Sequence, residues 1–192
     1  MTELARVLFG REDIRRRVEE LGRTITGDYV GREPVLISVL KGGTVFLADL
    51  IRQIRLPLET HMMAVSPYGA GEESMGRVRI LLDVEHDLAG RDVLLVEDIV
   101  DTGLTLSYLL SILRARSPAT LEVCTLLDRS VRRIVPLRPA YVGFDCPDRF
   151  VVGYGLDFQQ RYRNLPDILE VPDTAALKAD PDALVPLLAA TG

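Results

Sequence analysis

The chain alternates short apolar runs with longer segments in which apolar residues recur every three or four positions. The run Val93–Val96 is typical of a strand buried on both faces of a parallel sheet. Leu106–Leu113, which follows it, carries its apolar residues at helical spacing. Because this order recurs along the chain, the pattern predicts an α/β fold built on a parallel sheet. Strands are predicted at 35–39, 61–65, 77–83, 93–96, 121–127, 141–144 and 149–154, and helices at 10–27, 44–54 and 104–116.

Acids and small residues lie between the central predicted strand and its helix. Glu97 and Asp98 come where the strand is expected to end, Asp101 follows, and 102–105 leads into the helix. Ligands of open α/β sheets bind beyond the carboxyl ends of the strands, and a helix N-terminus suits a phosphate. Carboxylates beside a phosphate would repel it unless they hold sugar hydroxyls, a metal ion or a proton in transit. A phosphorylated ribose handled with Mg²⁺ meets all of these requirements.

This stretch resembles the phosphoribosyl-pyrophosphate motif of the type I phosphoribosyltransferases: an apolar strand, two acids, two more residues, then Asp-Thr-Gly-x-Thr. The alternative, a surface loop with accidental acids, would need all of these positions to fall in register by chance. The resemblance covers the chain from Arg11 to Val171. It implies a parallel-sheet core with helices on both faces and a small hood over the carboxyl edge of the sheet.

The resemblance also implies a role for each part of the motif. Glu97 and Asp98 would hold the ribose hydroxyls, directly or through metal and water. Asp101 would be the general base that takes the proton from purine N7 while N9 attacks the anomeric carbon. Nearby carboxylates would stabilise the positive charge that builds on that carbon. The 5-phosphate would bind the turn made by Thr102, Gly103, Leu104 and Thr105.

A second glycine-rich turn follows the predicted strand at 35–39. Lys41, Gly42 and Gly43 place a cation beside backbone that a ligand can approach closely. The residues alone are compatible with a pyrophosphate site or with a tight turn and a solvated lysine. Hypoxanthine phosphoribosyltransferases carry Lys-Gly-Gly at this place, often after a cis peptide bond. The resemblance therefore implies that Lys41 and Gly42 bind pyrophosphate.

A polar, glycine-rich segment of about a dozen residues lies at 66–77. The resemblance implies a mobile lid that keeps a reactive ribosyl cation from water. The family usually has Ser-Tyr where this chain has Pro67 and Tyr68, so the aromatic cover is kept and a hydroxyl is missing. His61, in the strand before the lid, is predicted to pack rather than to take part in chemistry.

Arg129 follows the predicted strand at 121–127, at the same sheet edge as the phosphate turn. The family usually has a lysine here, which reaches the 6-oxo group and N7 of the purine. Arginine is a planar fork and a pure donor, so it favours the acceptors of a 6-oxopurine over the 6-amino group of adenine. The alternative is a solvated arginine in an arginine-rich chain.

The run 141–166 resembles the C-terminal part of the same subfamily very closely. By that match Phe150 stacks on the purine and the Val151 backbone reads its edge. Asp157 would ligate Mg²⁺, and Arg163 would bind pyrophosphate. From the residues alone, Asp157 and Arg163 are also compatible with a surface ion pair.

Composition excludes several classes of protein. The net charge of −5, without a block of like charges, argues against a nucleic-acid partner, and no apolar run approaches the ~18 residues that span a bilayer. The N-terminus lacks an apolar signal region. Cys124 and Cys146 lack metal-ligand spacing, so buried, reduced cysteines in a cytoplasmic protein are expected. The 192 residues fit one domain at 1–171 and a tail at 172–192, with a short helix predicted within 182–190.

These observations predict a magnesium-dependent hypoxanthine(-guanine) phosphoribosyltransferase of purine salvage. Its substrates would be phosphoribosyl pyrophosphate and a 6-oxopurine, and its products IMP or GMP and pyrophosphate. The alternatives are a regulatory RNA-binding protein on the same fold and a phosphoribosyltransferase for another base, such as xanthine. Relatives are usually dimers or tetramers, so a homodimer or homotetramer is expected.

Overall fold

The computed structural model describes residues 4–67 and 78–189. In chain order, the strands of this part are β1 (Arg6–Phe9), β2 (Val35–Leu40), β3 (Glu59–Pro67), β4 (Val78–Leu82), β5 (Asp92–Val100), β6 (Thr120–Asp128), β7 (Tyr141–Asp145), β8 (Phe150–Val152) and β9 (Ile168–Val171). The α-helices are α1 (Arg11–Asp28), α2 (Gly43–Ile51), α3 (Leu104–Arg114), α4 (Thr174–Ala179) and α5 (Val185–Ala189).

Six strands form the main sheet, in the order β4-β3-β2-β5-β6-β7. All of them are parallel except β4, which pairs antiparallel with β3 at one edge. Buried residues of α1 and α2 pack on one face of this sheet, and buried residues of α3 pack on the other. The predicted α/β fold with helices on both faces is confirmed.

Helix α1 shows why the apolar spacing was informative. Ile14, Val18, Leu21 and Ile25 recur every three or four residues and are almost completely buried. Its outward face carries ion pairs such as that between Arg15 and Glu19. The predicted helix at 10–27 and the observed helix agree to within one residue at each end.

A second, three-stranded antiparallel sheet in the order β1-β9-β8 forms the hood. Its Glu170 is buried, and Arg6 and Arg149 each place a guanidinium nitrogen 3.0 Å from that carboxylate. The hood lies over the carboxyl edge of the main sheet, because Phe150 at the start of β8 lines a pocket with Asp101. Strands β1 and β9 were not predicted, because four residues are too short for a periodic pattern to show.

The prediction that the central strand ends before Glu97 is wrong. Strand β5 pairs with β2 as far as Ser38 opposite Val96, but its pairing with β6 continues to Val100 opposite Asp128. The two acids therefore lie within β5, in a stretch where β6 still pairs with it and β2 no longer does. Helix α2, predicted at 44–54, begins one residue earlier and ends at Ile51.

The C-terminal tail packs on the hood of its own chain. Helix α4 was not predicted; Asp173 caps it by accepting hydrogen bonds from the amides of Ala175 and Ala176, at 2.9 and 3.0 Å. Helix α5 is shorter than the helix predicted within 182–190. Leu177 and Leu184 are buried in an apolar cluster that includes residues of β8 and β9.

Both cysteines are buried and unpaired, as predicted for Cys124 and Cys146. Over residues 4–67 and 78–189, no helix is both long enough and apolar enough to cross a membrane.

Candidate active site

A cleft of about 360 Å³ lies at the carboxyl edge of the main sheet. The turn after β2, the end of β5 with the turn that follows it, and the loop after β8 contribute its walls. Most of the residues assigned to phosphoribosyl pyrophosphate and metal come together here, although Leu104 does not line the cleft. The predicted residues in its lining are Lys41, Gly42, Glu97, Asp98, Asp101, Thr102, Gly103, Thr105, Asp157 and Arg163.

The turn predicted to bind phosphate ends at the N-terminus of α3, where the first amide N–H groups have no acceptor inside the helix. Gly103 precedes the helix with a φ of +81°, a left-handed conformation that favours glycine. A Cβ atom at Gly103 would lie 2.8 Å from Cγ2 of Val135, so the site also lacks space for a side chain. Thr102 Oγ1 accepts a hydrogen bond from the Leu104 amide at 3.4 Å.

The Lys41 turn lies directly against the acids of β5. The peptide bond between Leu40 and Lys41 is cis, as the resemblance implied. A Cβ atom at Gly42 would lie 1.6 Å from Oδ2 of Asp98, so a residue with a side chain could not occupy this position without moving the carboxylate. The glycine therefore permits the close approach of the turn to Asp98.

Glu97 and Asp98 are held where ionisation is unfavourable. Burial raises the pKa of Glu97 well above its ordinary value of 4.5, and repulsion from Asp98 raises it further. Burial also raises the pKa of Asp98, while a hydrogen bond from the Ile99 amide at 2.8 Å opposes this shift. A cation in the cleft would favour the charged form of both groups.

Three polar side chains connect the Lys41 turn to the loop after β8. Arg163 Nη2 lies 2.7 Å from Asp157 Oδ1, and its Nη1 donates to the Gly155 carbonyl at 2.7 Å. Gln160 Oε1 accepts hydrogen bonds from Lys41 Nζ and from Arg163 Nη2, both at 3.2 Å. Sequence reasoning missed Gln160, whose one signal is its position between the predicted acid and the predicted arginine.

A pocket of about 230 Å³ adjoins the cleft, with Asp98, Asp101 and Asp157 lining both. Its remaining walls include the predicted purine-binding residues Arg129, Phe150 and Val151. The Phe150 ring is partly exposed and meets Phe158 edge-on, at 6.0 Å between ring centroids. The pocket thus combines an aromatic surface with a buried guanidinium group.

Asp101 lies within a group of arginines. Its Oδ2 is 3.3 Å from Nη1 of Arg129 and 3.3 Å from Nη1 of Arg132, and Arg133 Nε donates to its carbonyl at 3.0 Å. Its Oδ1 is buried and has no hydrogen-bond partner among the described residues. Arg129 also donates to the Arg149 carbonyl. Arg132 and Arg133 were not predicted, although the arginine-rich run directly after β6 was a signal.

The predicted lid is largely beyond what the structure describes. Strand β3 ends at Pro67, and Tyr68 with the remainder of the segment to residue 77 lies outside the described residues.

A parallel sheet with helices on both faces, a hood, and acids beside a tight turn that leads into a helix N-terminus are the features of a phosphoribosyltransferase domain. The chain belongs to the phosphoribosyl transferase domain family, which matches residues 10–159.

The chain is similar to several hypoxanthine-guanine enzymes of this family. It is 50% identical over 169 residues to the hypoxanthine-guanine phosphoribosyltransferase of Mycobacterium avium, covering 85% of this chain and 83% of that protein. It is 45% identical to the bifunctional protein TilS/HprT of Listeria innocua, covering 86% of this chain but only 26% of that longer protein. A solved hypoxanthine-guanine phosphoribosyltransferase from Bacillus anthracis superposes with a TM-score of 0.84 at 44% identity, covering 88% of this chain and 99% of that one.

The raised pKa of Glu97 makes a pH-dependent stability prediction. Between the ordinary value of 4.5 and the higher folded value, folding takes up protons, so the free energy of unfolding falls as pH rises. Glu97→Gln has no ionisable group at this position, so this fall in the free energy of unfolding with rising pH is absent from the variant. The variant should therefore gain stability relative to wild type as pH rises above 4.5, by at most about 1.4 kcal/mol per pH unit. Urea unfolding at pH 4 to 8, without magnesium, measures this difference; a difference that does not change with pH would contradict the prediction.

Proposed function

We propose that this protein transfers the 5-phosphoribosyl group of phosphoribosyl pyrophosphate to N9 of hypoxanthine or guanine, giving IMP or GMP and pyrophosphate. The observation that carries the proposal is the pair of adjoining pockets, which share Asp101. One pocket has a phosphate-binding turn and acids suited to a ribose, and the other has an aromatic wall and a guanidinium suited to a 6-oxopurine. The similarity to named hypoxanthine-guanine phosphoribosyltransferases supports the same reaction.

The proposed binding mode places the two phosphate groups of the substrate at separate turns. The 5-phosphate binds 102–105, where free amide groups and the positive end of the α3 dipole favour an anion. Pyrophosphate binds Lys41, the backbone at Gly42, and Arg163, which Gln160 already brings into one network. Glu97 and Asp98 hold the ribose hydroxyls between these turns.

Mg²⁺ fits the residues of this cleft. Asp157, Glu97 and Asp98 offer hard oxygen ligands, and a cation bound by Glu97 and Asp98 would offset the burial that raises their pKa values. Asp157 is the principal proposed ligand, with Glu97 and Asp98 acting directly or through water. When bound, Mg²⁺ neutralises charge on the pyrophosphate. The three carboxylates position it and also stabilise positive charge at the anomeric carbon.

Asp101 is proposed as the general base for the purine proton. Arg129 and Arg132 both contact Oδ2, and Asp101 lines both pockets, so its carboxylate lies where it can take a proton from N7. The arginine contacts also hold the carboxylate in one orientation. Arg129 therefore has two proposed tasks: it positions Asp101 and it donates to O6 and N7 of the purine.

The purine stacks on Phe150, and the backbone of Val151 reads its edge. A donor-only guanidinium accepts nothing from the 6-amino group of adenine, so a 6-oxopurine is the preferred class. We further propose that the enzyme is cytoplasmic and forms a homodimer or homotetramer. The segment 66–77, with Pro67 and Tyr68, is proposed to close over the bound substrates.

The reaction can be tested directly with phosphoribosyl pyrophosphate and each of four bases. Nucleotide should form from hypoxanthine or guanine in a reaction that depends on magnesium, and its formation from adenine should be much slower. The reaction with xanthine tests the alternative that the enzyme uses another base. A spectrophotometric assay follows each conversion. Absence of product from all four bases, despite binding of phosphoribosyl pyrophosphate, would contradict the proposal and favour a regulatory protein. Such a protein would shift the mobility of RNA in a gel, and added salt would weaken the shift.

Asp101→Asn should lower kcat by about 10²- to 10⁴-fold, because the amide keeps the shape of the carboxylate but cannot take the proton. Binding of phosphoribosyl pyrophosphate, followed by calorimetry, should change little. Turnover at the wild-type rate would remove Asp101 from the role of general base.

Arg129→Ala should reduce the discrimination between hypoxanthine and adenine, measured as the ratio of kcat/KM values. Arg129→Lys should keep much of it, because the ammonium group still donates to the 6-oxo group. Arg132→Ala is the matched control: Arg132 contacts the same Asp101 oxygen but does not line the purine pocket. If Arg132→Ala and Arg129→Ala change the ratio equally, Arg129 acts only through Asp101.

A further inference from the structure

The two histidines of this chain lie against each other, at the end of the main sheet opposite the active site. His61 Nε2 and His86 Nδ1 are 3.2 Å apart, and the two rings meet edge-on. His61 lies near the start of β3, whose first residue pairs with Val35 at the amino end of β2. His86 comes from the loop between β4 and β5. The residues are 25 positions apart, so the fold alone brings them together.

Glu59 adds a carboxylate to this pair. It lies two residues before His61 on the same strand, so both side chains are on the same face of the sheet. Glu59 Oε2 is 3.6 Å from His61 Nε2, and one ligand atom from each of the three residues falls within 4.8 Å of the other two. Arg91 Nη2 binds the other oxygen of Glu59 at 2.8 Å, and this hydrogen bond is the main reason why the pKa of Glu59 is lowered. The carboxylate is therefore charged and oriented.

The separation of the donor atoms matches a metal site. A tetrahedral Zn²⁺ with bonds of about 2.0–2.1 Å to nitrogen and oxygen places its ligand atoms roughly 3.3 Å apart. The observed 3.2 and 3.6 Å are close to this value. Without a metal, a short contact between two ring nitrogens needs a proton between them. A metal ion can take the place of that proton, with both nitrogens as lone-pair donors.

The surroundings hold the three ligands in place. Val84 and Leu88, on either side of His86, are buried in the same apolar cluster as Met63 of β3. Arg116 donates to the Val84 carbonyl at 2.9 Å and pairs with Asp83 at 2.6 Å, which fixes the loop from its other side. His61 is mostly buried, whereas His86 is exposed, so solvent can reach the cluster. An ion can enter, and one coordination position stays open to water.

We propose that Glu59, His61 and His86 form a binding site for one divalent transition-metal ion, with Zn²⁺ as the best match to two imidazoles and one carboxylate. The ion links the first residues of β3 to the segment after β4. It stabilises this edge of the sheet and takes no part in the chemistry at the carboxyl edge. The proposed role of His61 departs from the prediction from sequence that this residue packs rather than takes part in chemistry.

The test uses tag-free protein stripped with a chelator, because an added histidine tag would bind the same ions. With histidines labelled with ¹⁵N, the spectrum contains ring signals from His61 and His86 alone. One equivalent of Zn²⁺ should shift both sets of ring signals and raise the Tm. Co²⁺, used as an optical probe, should give visible absorption bands at a stoichiometry of one. A Zn²⁺ titration followed by calorimetry should include a binding event that His86→Gln weakens by more than tenfold, about 1.4 kcal/mol.

Matched variants separate this site from the carboxylates of the active site. Glu59→Gln should weaken Zn²⁺ binding, whereas Glu85→Gln, the same change on the exposed loop that carries His86, should not. Arg91→Gln should weaken binding by about 10-fold, because Arg91 orients Glu59. Asp157→Asn should leave the histidine shifts intact. If Zn²⁺ leaves the histidine signals unchanged, or binds His61→Gln and His86→Gln as tightly as wild type, the proposal is wrong, whatever the outcome of the transferase assay.

Discussion

The partial burial of two adjacent carboxylates, Glu97 and Asp98, is the constraint on which the active-site end of this fold depends. An ordinary strand carries apolar residues at this depth, and burial raises the pKa of both acids. The sheet accommodates them because β2 leaves β5 after Val96, which opens a gap beside the acids. The Lys41 turn enters this gap, and it does so with a glycine because the Asp98 carboxylate occupies the space of a Cβ atom.

Cationic groups around the cleft offset this concentration of negative charge in two separate ways. Lys41 and Arg163 share Gln160 as an acceptor, and Arg163 pairs with Asp157. Around Asp101, arginines from the segment after β6 bind one carboxylate oxygen and leave the other unpaired. The buried, unpaired Oδ1 is costly for stability, and the arginines hold the Asp101 carboxylate beside the pocket in which the purine is proposed to bind. Substrate and metal would complete the balance of charge.

The two ends of the parallel sheet are used differently. At the carboxyl edge, the ends of the strands and the loops that follow them carry the acids, the turn before α3 and the arginines, and this is the edge where open α/β sheets generally bind ligands. At the amino edge, the strand ends and loops lie away from the proposed catalytic residues, so contacts made there do not disturb the reaction. The cluster of Glu59, His61 and His86 belongs to this edge. Because β3 and β4 form the ribbon on either side of residues 68–77, the cluster also holds the base of that ribbon.

The amino-acid sequence by itself predicted the parallel core, most of its strands and helices, and most of the residues that line the two pockets. The core was predictable because the spacing of apolar residues reflects burial. The lining residues were predictable because Glu97, Asp98, Asp101 and the Thr-Gly-x-Thr turn are adjacent in the chain, and because the remainder matched the pattern of a known family. The short strands β1 and β9 escaped prediction because four residues are too few to show a periodic pattern. Helix α4 escaped prediction because packing of Leu177 on the hood, rather than a local pattern, stabilises it. Gln160, Arg132 and the pairing of His61 with His86 were decided by tertiary structure alone. Each depends on residues far apart in sequence, whose distance in space follows only from the way the sheet and its loops assemble.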